Sequence, residues 1–267
     1  STDSNKKSVY DRLSLLSGRP TKKTKLIVFP EGTFSLNDKD IKYIEENKAI
    51  QLNLMESEGA HVLYGINIKN SNNTFDNALR IINKDGLIMQ YNKRYLVPFA
   101  EKIPYGFRWM KNFMSTPPNY TAGSQEKVVD VDGALINLKI CYDLFFPDFF
   151  KNSNFMTTVV IIDDEWYRKA PVREIHLRQI RLYALLTQKS ILSATTNGIT
   201  ALINKNGRII SQLDKDVEGF LTGYLTLSSG TPLAQKIPWI KLLSYLMLLF
   251  ILHTVFDHIQ CRRKKIV

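Results

Sequence analysis

An α/β fold with two sheets layered between helices is what this sequence predicts, and three observations lead to it. Apolar runs of strand length alternate with helical patterns along most of the chain. Pairs at Asp85-Gly86, Asp132-Gly133 and Asn206-Gly207 join strands into hairpins, which breaks a simple parallel order. The helical stretch 172–189 is apolar on two sides, so it has to be covered on both, and that requires layers.

Taken in order, the chain opens with a polar lead-in over 1–24, where Val9, Leu13 and Leu16 keep helical spacing until Gly18-Arg19-Pro20 ends it. The run 25–29 is a buried strand stopped by Pro30. Glu31 therefore stands at the carboxyl end of a strand, where sites of layered α/β folds collect. A Glu- and Asn-rich helix over 39–58 leads to a second buried strand over 61–68. Strands 79–83 and 87–91 flank Lys84-Asp85-Gly86 and deliver Lys93 just past the second strand. Residues 103–120 form a loop rich in Pro and aromatics.

The second hairpin, 128–131 and 134–141 about Asp132-Gly133, ends in Asn137-Leu138-Lys139-Ile140-Cys141-Tyr142-Asp143 and turns through Phe145-Phe146-Pro147 into a short helix. A strand over 157–162 ends in Asp163-Asp164-Glu165-Trp166. The helix 172–189 places Val172, Ile175, Leu182, Leu185 and Leu186 on one stripe and Leu177, Ile180 and Ala184 on another. Strands at 190–195, 200–203, 208–210 and 219–226 complete a domain over 25–231.

The segment 238–257 differs in kind. About 20 mostly apolar residues of helix reach roughly 30 Å, the thickness of a bilayer core, and predict a transmembrane helix; the alternative is a buried C-terminal helix. The tail 258–267 holds Cys261-Arg262-Arg263-Lys264-Lys265, which by the positive-inside rule puts the C-terminus in the cytoplasm and the domain on the other side. Ser1 to Lys25 carries no signal of its own for crossing a membrane, so further membrane helices upstream of Ser1 are expected.

The composition, 44% hydrophobic and 23% charged over 267 residues, suits a folded domain with a sizeable core. A net charge of +11 points to anionic partners or simply to a Lys-rich surface. The lysines are scattered apart from Lys22-Lys23 with Lys25 and the tail, and no nucleic-acid motif emerges. Two cysteines, Cys141 and Cys261, in unlike settings give no disulfide framework.

Chemistry centres on Cys141. A cysteine acts as a nucleophile only as thiolate and needs a neighbouring base or cation. None of His61, His176, His253 and His258 lies at an obvious strand end. Alone, Cys141 reads first as a buried core residue; Glu31 and Lys93 read equally as an ion pair, and Glu101 as a solvated loop residue. Together, Glu31, Lys93 and Cys141 each terminate a separate strand, so one face can present a carboxylate, an ammonium and a thiol.

Phe29-Pro30-Glu31-Gly32, the run Tyr91-Asn92-Lys93-Arg94-Tyr95-Leu96-Val97-Pro98-Phe99-Ala100-Glu101, and Ile140-Cys141-Tyr142-Asp143 resemble the Glu, Lys and Cys motifs of the nitrilase superfamily. The Leu-Val-Pro-Phe-x-Glu continuation, Asp164-Glu165-Trp166-Tyr167, His176 and Ala194-Thr195-Thr196-Asn197-Gly198-Ile199-Thr200 resemble its apolipoprotein N-acyltransferase branch. The resemblance implies a four-layer αββα sandwich on the outer side of a bacterial cytoplasmic membrane. It implies a reaction that moves an acyl chain from a phospholipid to the N-terminal amine of a diacylglyceryl-cysteine lipoprotein, with no cofactor, metal or nucleic acid. By position Glu31 is general base, Lys93 holds the oxyanion, Cys141 carries the thioester and Glu101 assists. Tyr142, Asp143, Trp166, Trp109 and Asn197 fall on the substrate side.

The match has departures. Asp143 stands where the family usually has Glu, Gly32 where it has Thr or Ser, and Glu165 where it has a small residue; the usual opening strand with Gln-x-Asn is not found upstream of Val9. Two other functions remain open, a nitrilase-type amidase acting on small carbon-nitrogen bonds and a non-catalytic membrane-surface module. The aromatic loop, with Tyr105, Phe107, Trp109, Met110 and Phe113 beside Arg108 and Lys111, fits a lipid interface or a loop folded onto the domain. Phe145, Phe146, Phe149 and Phe150 fit an acyl pocket or the core.

Overall fold

The computed structural model describes residues 23–36, 59–114, 119–125, 127–146, 154–167, 171–231, 243 and 245–250. Among these, two sheets are present. The first contains β1 (Leu26–Val28), β2 (Phe34–Leu36), β3 (His61–Lys69), β4 (Phe75–Asn83) and β5 (Gly86–Asn92). Its order is β1-β3-β4-β5, with β2 also on β3. The second contains β6 (Val128–Val131), β7 (Ala134–Ile140), β8 (Thr157–Asp163), β9 (Ser190–Thr196), β10 (Thr200–Ile203) and β11 (Ile209–Leu213), ordered β11-β10-β9-β8-β7-β6. One long helix, α1 (Val172–Thr187), connects β8 to β9, which pair in parallel.

The hairpin predictions hold where turn chemistry demanded them. Asp132 and Gly133 both take positive φ, 52° and 83°, and the two residues join Val131 to Ala134 in register. Successive positive φ values define the turn whose twist matches paired strands, which is why an Asp-Gly pair is found there.

β1 and β2 are one edge of β3 interrupted. Leu26 to Val28 pair in parallel with His61 to Leu63, and Phe34 to Leu36 pair in parallel with Ile66 to Ile68. Between them the chain bulges through Pro30, Glu31 and Gly32, anchored by the Gly65 N–H donating to the Pro30 carbonyl at 3.1 Å. A Cβ on Gly65 would lie 2.6 Å from the Glu31 Cα and 2.6 Å from the Pro30 oxygen. Only glycine lets the strand pass this close beneath Glu31.

The main core lies between the sheets. Leu63, Leu79, Ile81 and Tyr91 of the first meet Ile136, Leu138, Ile140, Val159 and Ile161 of the second, all buried. Ile180, Tyr183 and Ala184 of α1 join that core against the second sheet. On the other face of the first sheet Val62, Tyr64, Ile66, Ala78 and Ile82 are buried with Ile27 and Phe29 packed on them. Burial on both faces explains why these strands read as continuous apolar runs.

Three expectations are corrected. No strand forms over 219–226; Gly223 instead lies against Leu202 and Ser211, so the segment crosses the side chains of β10 and β11 rather than pairing with an edge. The stripe of α1 that carries Ile175, Leu182 and Leu185 is not covered by the described residues, since all three are exposed. The loop after Ile103 contains 3-10 helical turns, Tyr105–Phe113, kinked at Phe107.

The helices expected over 9–16 and 39–58, the turn beyond Phe146 with Phe149 and Phe150, and the basic tail lie outside the described residues. Of the span 238–257, residues 243 and 245–250 are helical, and among the described residues no helix is long and apolar enough to cross a membrane.

Candidate active site

β1, β3 and β5 run in one direction, because β4 is antiparallel to both of its neighbours. β7, β8 and β9 are parallel to one another. The carboxyl ends of both sets meet at one end of the molecule, and Glu31, Lys93, Cys141 and Asp164 each sit just beyond such an end.

Lys93 is at the centre, 1% exposed. Its Nζ donates to Glu31 Oε1 at 3.1 Å and to Glu101 Oε1 at 3.0 Å. The same two oxygens accept from Asn77 Nδ2, at 2.7 and 2.9 Å. Ammonium and amide thus bridge two carboxylates on matching atoms. The remaining oxygens are also used: Glu31 Oε2 accepts from the Asp163 N–H at 2.8 Å, and Glu101 Oε2 from the Val97 N–H at 2.8 Å. Burial alone disfavours the charge on Lys93, but Glu31, the Cys141 sulfur and Glu101 more than offset it and hold its pKa well above the ordinary lysine range.

Cys141 directly follows β7 with φ of +43°, a left-handed conformation rare in residues other than glycine, and is 5% exposed. It opens a 3-10 turn, Cys141–Phe145, that lifts the thiol off the strand line. Burial and then the Glu31 charge push the thiol's pKa well above the ordinary cysteine value; Lys93 opposes this, while Asp164 and Glu101 add to it. The resting sulfur is therefore protonated and needs a base at the moment of attack.

Asp143 ties this turn to the loop that carries Lys93. Oδ2 accepts from the Tyr91 hydroxyl at 2.7 Å and the Ile140 N–H at 3.2 Å; Oδ1 accepts from the Tyr95 N–H at 2.9 Å and the Arg94 N–H at 3.3 Å. Its reach back to Ile140 is half of a capping box, made from an aspartate in the first turn. Tyr95 and Phe146 stack at 3.7 Å between centroids and 5° between planes, joining the same two loops a second time. Burial raises the pKa of Asp143 and its hydrogen bonds pull it back.

The expected site residues thus fall into groups. Glu31, Lys93 and Glu101 form one buried cluster that acts electrostatically on Cys141. Asp143 is fully buried with both oxygens engaged internally. Tyr142 is half-buried and packs against Phe145 and Phe146. Trp166 is 84% exposed, its side chain hydrogen-bonded to Asp163, whose own pKa is raised mainly by burial. Trp109 is 61% exposed and meets Phe113 edge-on. Asn197 sits at positive φ in the β9–β10 turn, where its carbonyl accepts from Arg173 Nη1 at 3.0 Å.

The sequence reading missed Asn77 and Tyr91. In β4 the alternate positions Phe75, Asn77, Leu79 and Ile81 share a face, and an amide in such an apolar row is the signal that could have found it.

Known proteins resemble this chain in sequence and in fold. The sequence matches the Carbon-nitrogen hydrolase family over residues 3–235. This chain belongs to the carbon-nitrogen hydrolase family. Among curated proteins it is similar to the apolipoprotein N-acyltransferases of Allorhizobium ampelinum (31% identical, 58% of this chain, 31% of that protein) and Aquifex aeolicus (25%, 78% and 47%). A third, from Rickettsia prowazekii, is 26% identical over 88% of this chain and 49% of its own length. The chain therefore spans a third to a half of the length of these relatives.

Among solved structures its fold is similar to a carbon-nitrogen hydrolase superfamily protein from Xanthomonas campestris (TM-score 0.57, 18% identity, 79% of this chain and 81% of that one). It is also similar to an amidase from Nesterenkonia sp. (TM-score 0.55, 13% identity, 91% and 90%), a structure described as carrying a covalent addition at the active-site cysteine. Family membership bears out the α/β layering expected from the sequence, and the acyltransferase relatives bear out the resemblance read from its motifs.

Proposed function

We propose that this chain catalyses acyl transfer through a Cys141 thioester, from a phospholipid donor to the N-terminal amine of a lipidated protein. The observation that carries the covalent step is the buried cluster of Lys93 with Glu31, Glu101 and Asn77 acting on a protonated thiol.

In the first half-reaction Cys141 Sγ attacks the ester carbonyl of the donor while Glu31 takes the thiol proton. The carbonyl π pair moves onto oxygen, and the Lys93 ammonium stabilises that oxyanion. Collapse breaks the ester C–O bond, and Glu31 returns the proton to the departing lysolipid alcohol. In the second, the neutral acceptor amine attacks the thioester and Glu31 takes a proton from the nitrogen. Breaking the C–S bond releases an amide, and the proton returns to sulfur. Glu101 and Asn77 hold Glu31 and Lys93 in register throughout.

Two features favour a lipid donor over a small amide. The segment Tyr105–Phe113 starts four residues after Glu101 and exposes Tyr105, Phe107, Trp109 and Phe113, with Arg108 stacked on Tyr105 at 4.5 Å. Aromatic rings beside a cation suit the headgroup boundary of a bilayer. The curated relatives named above are N-acyltransferases. In this reading 238–257 is a membrane helix, the domain faces away from the cytoplasm, and Trp109, Trp166, Tyr142 and Asn197 border the substrates.

The test is incubation of the chain with a phospholipid labelled in its acyl chain, followed by acid quench. A hydroxylamine-sensitive label on the protein, lost in Cys141→Ala, is expected. Turnover of small amides with no acyl adduct would transfer the site to the amidase reading, and full activity in Cys141→Ala would remove both.

A further inference from the structure

One buried hydrogen-bonded pair lies outside the chemistry above. Asp164, fully buried, follows β8 directly and lies between the ends of β7 and β9; its N–H donates to the Thr196 carbonyl at 3.0 Å. Its Oδ1 is 2.7 Å from His176 Nδ1, a buried residue in the second turn of α1. A carboxylate can only accept, so Nδ1 carries the proton of that bond. Among the described residues Asp164 Oδ2 is buried without a hydrogen-bond partner, and Gly198 packs so tightly on it that a Cβ there would collide with the carboxylate.

The same end of α1 grips the nucleophile's turn. The His176 ring lies 5.9 Å from the Phe145 ring, and Gln179 Nε2 donates to the Leu144 carbonyl at 3.0 Å. Phe145 and Leu144 belong to the turn that begins at Cys141 in its left-handed conformation. The His176 bond to the end of β8 is thus one of the contacts that place α1 over that turn, beside the Arg173 bond to the Asn197 carbonyl and the core packing of Ile180, Tyr183 and Ala184.

We propose that Asp164 and His176 are positioning residues for Cys141: their bond fixes α1 against the 141–145 turn, which holds the sulfur in place. Neither touches substrate. The charges that act on the sulfur come from four elements: Glu31 after β1, Lys93 after β5, Glu101 in the loop beyond it, and Asp164 after β8. The inference rests on Cys141 being the nucleophile and not on the identity of the acyl donor.

The test reads the pH profile of Cys141 alkylation by iodoacetamide in the full chain, alongside turnover. Asp164→Asn keeps the side-chain volume and the acceptor oxygen but removes one of the charges that raise the thiol's pKa, and is expected to move the alkylation profile to lower pH. His176→Phe removes the donor and is expected to lower kcat about tenfold or more with KM for the donor unchanged. His176→Asn, whose amide can donate from nearly the position of Nδ1, is expected to recover most of that loss. An unchanged alkylation profile in folded Asp164→Asn, or His176→Asn no better than His176→Phe, overturns the proposal. Melting curves identify any variant that fails to fold; Asp164→Asn then still decides. Because alkylation needs no substrate, a wrong acyl donor leaves this test intact.

Discussion

Two charged neighbours pull the Cys141 thiol in opposite directions, and this separates basicity from catalysis. Glu31 raises the thiol's pKa and Lys93 lowers it. Raised pKa means less thiolate at a given pH, so alkylation of the resting enzyme at pH 8 is expected to be slower than that of a free cysteine. Glu31→Gln removes a charge that raises the pKa; alkylation at pH 8 should speed up although turnover is lost, because an amide takes no proton. Lys93→Met should slow alkylation and also abolish turnover. Parallel alkylation and turnover assays check both, and a common direction of alkylation in the two variants counts against this electrostatic account. Asn77 belongs to the same scale. It donates to two carboxylates, Glu31 and Glu101, and hydrogen bonds to charged groups contribute about 1.5–3 kcal/mol each. Asn77→Leu is therefore expected to reduce kcat roughly 10- to 100-fold with a smaller change in KM. Cys141, Glu31 and Lys93 were legible in the sequence because each follows an apolar run that reads as a strand. Asn77 left only the weaker signal of an amide in an apolar row, since its role depends on which strand lies opposite Glu31, and strand order is not written in local pattern.

At the scale of elements, strands joined by tight turns and strands buried as continuous apolar runs were readable, and a strand judged by composition alone was not. The pairs at Asp132-Gly133 and Asn206-Gly207 turn the chain as expected, because Asp132, Gly133 and Gly207 supply the positive φ their turns need. The stretch 219–226 is rich in residues that favour strands, yet such composition specifies only extended backbone, whereas a ladder also needs an edge within reach. Here Gly219 meets Leu213, Gly223 meets Leu202 and Ser211, and the Ser228 and Gly230 carbonyls accept from Lys189 Nζ at 2.6 and 2.9 Å. The segment is fastened across the sheet's face by a buried lysine instead. Close approach also sets the cost of changing β3 and the β9–β10 turn. Gly65→Ala has to push backbone atoms of Pro30, Glu31 and Gly32, which cannot swing aside as a side chain can. It should cost about 1–3 kcal/mol or more in urea unfolding and should displace the base. Gly198→Ala meets a carboxylate instead and is expected to cost a comparable amount while disturbing Asp164. If Gly65→Ala matched the wild type in both stability and turnover, the bulge would not be what holds Glu31.

For the whole molecule, charge and aromatic exposure act over different ranges, which makes the lipid reading separable into two measurable parts. A net charge of +11 attracts anionic headgroups from a distance, and that attraction fades with salt because the Debye length shrinks from about 10 Å at 0.1 M to 3 Å at 1 M. The exposed rings of Phe107 and Trp109 act only on contact, and their burial in the interface is insensitive to screening. With the full chain in phosphatidylglycerol vesicles, raising salt is expected to increase the apparent KM for the phospholipid donor while kcat holds. The double change Phe107→Asp with Trp109→Asp removes about 1.5–3 kcal/mol of apolar burial per ring at most. It should therefore raise KM by about tenfold or more at every salt concentration. Cys141 alkylation should be unchanged in this variant, because both rings are exposed and neither hydrogen-bonds to Glu31, Lys93 or Glu101. If the double variant kept the wild-type KM at high salt, the segment Tyr105–Phe113 would have no part in donor uptake, and the case for a lipid donor would rest on the likeness to N-acyltransferases alone.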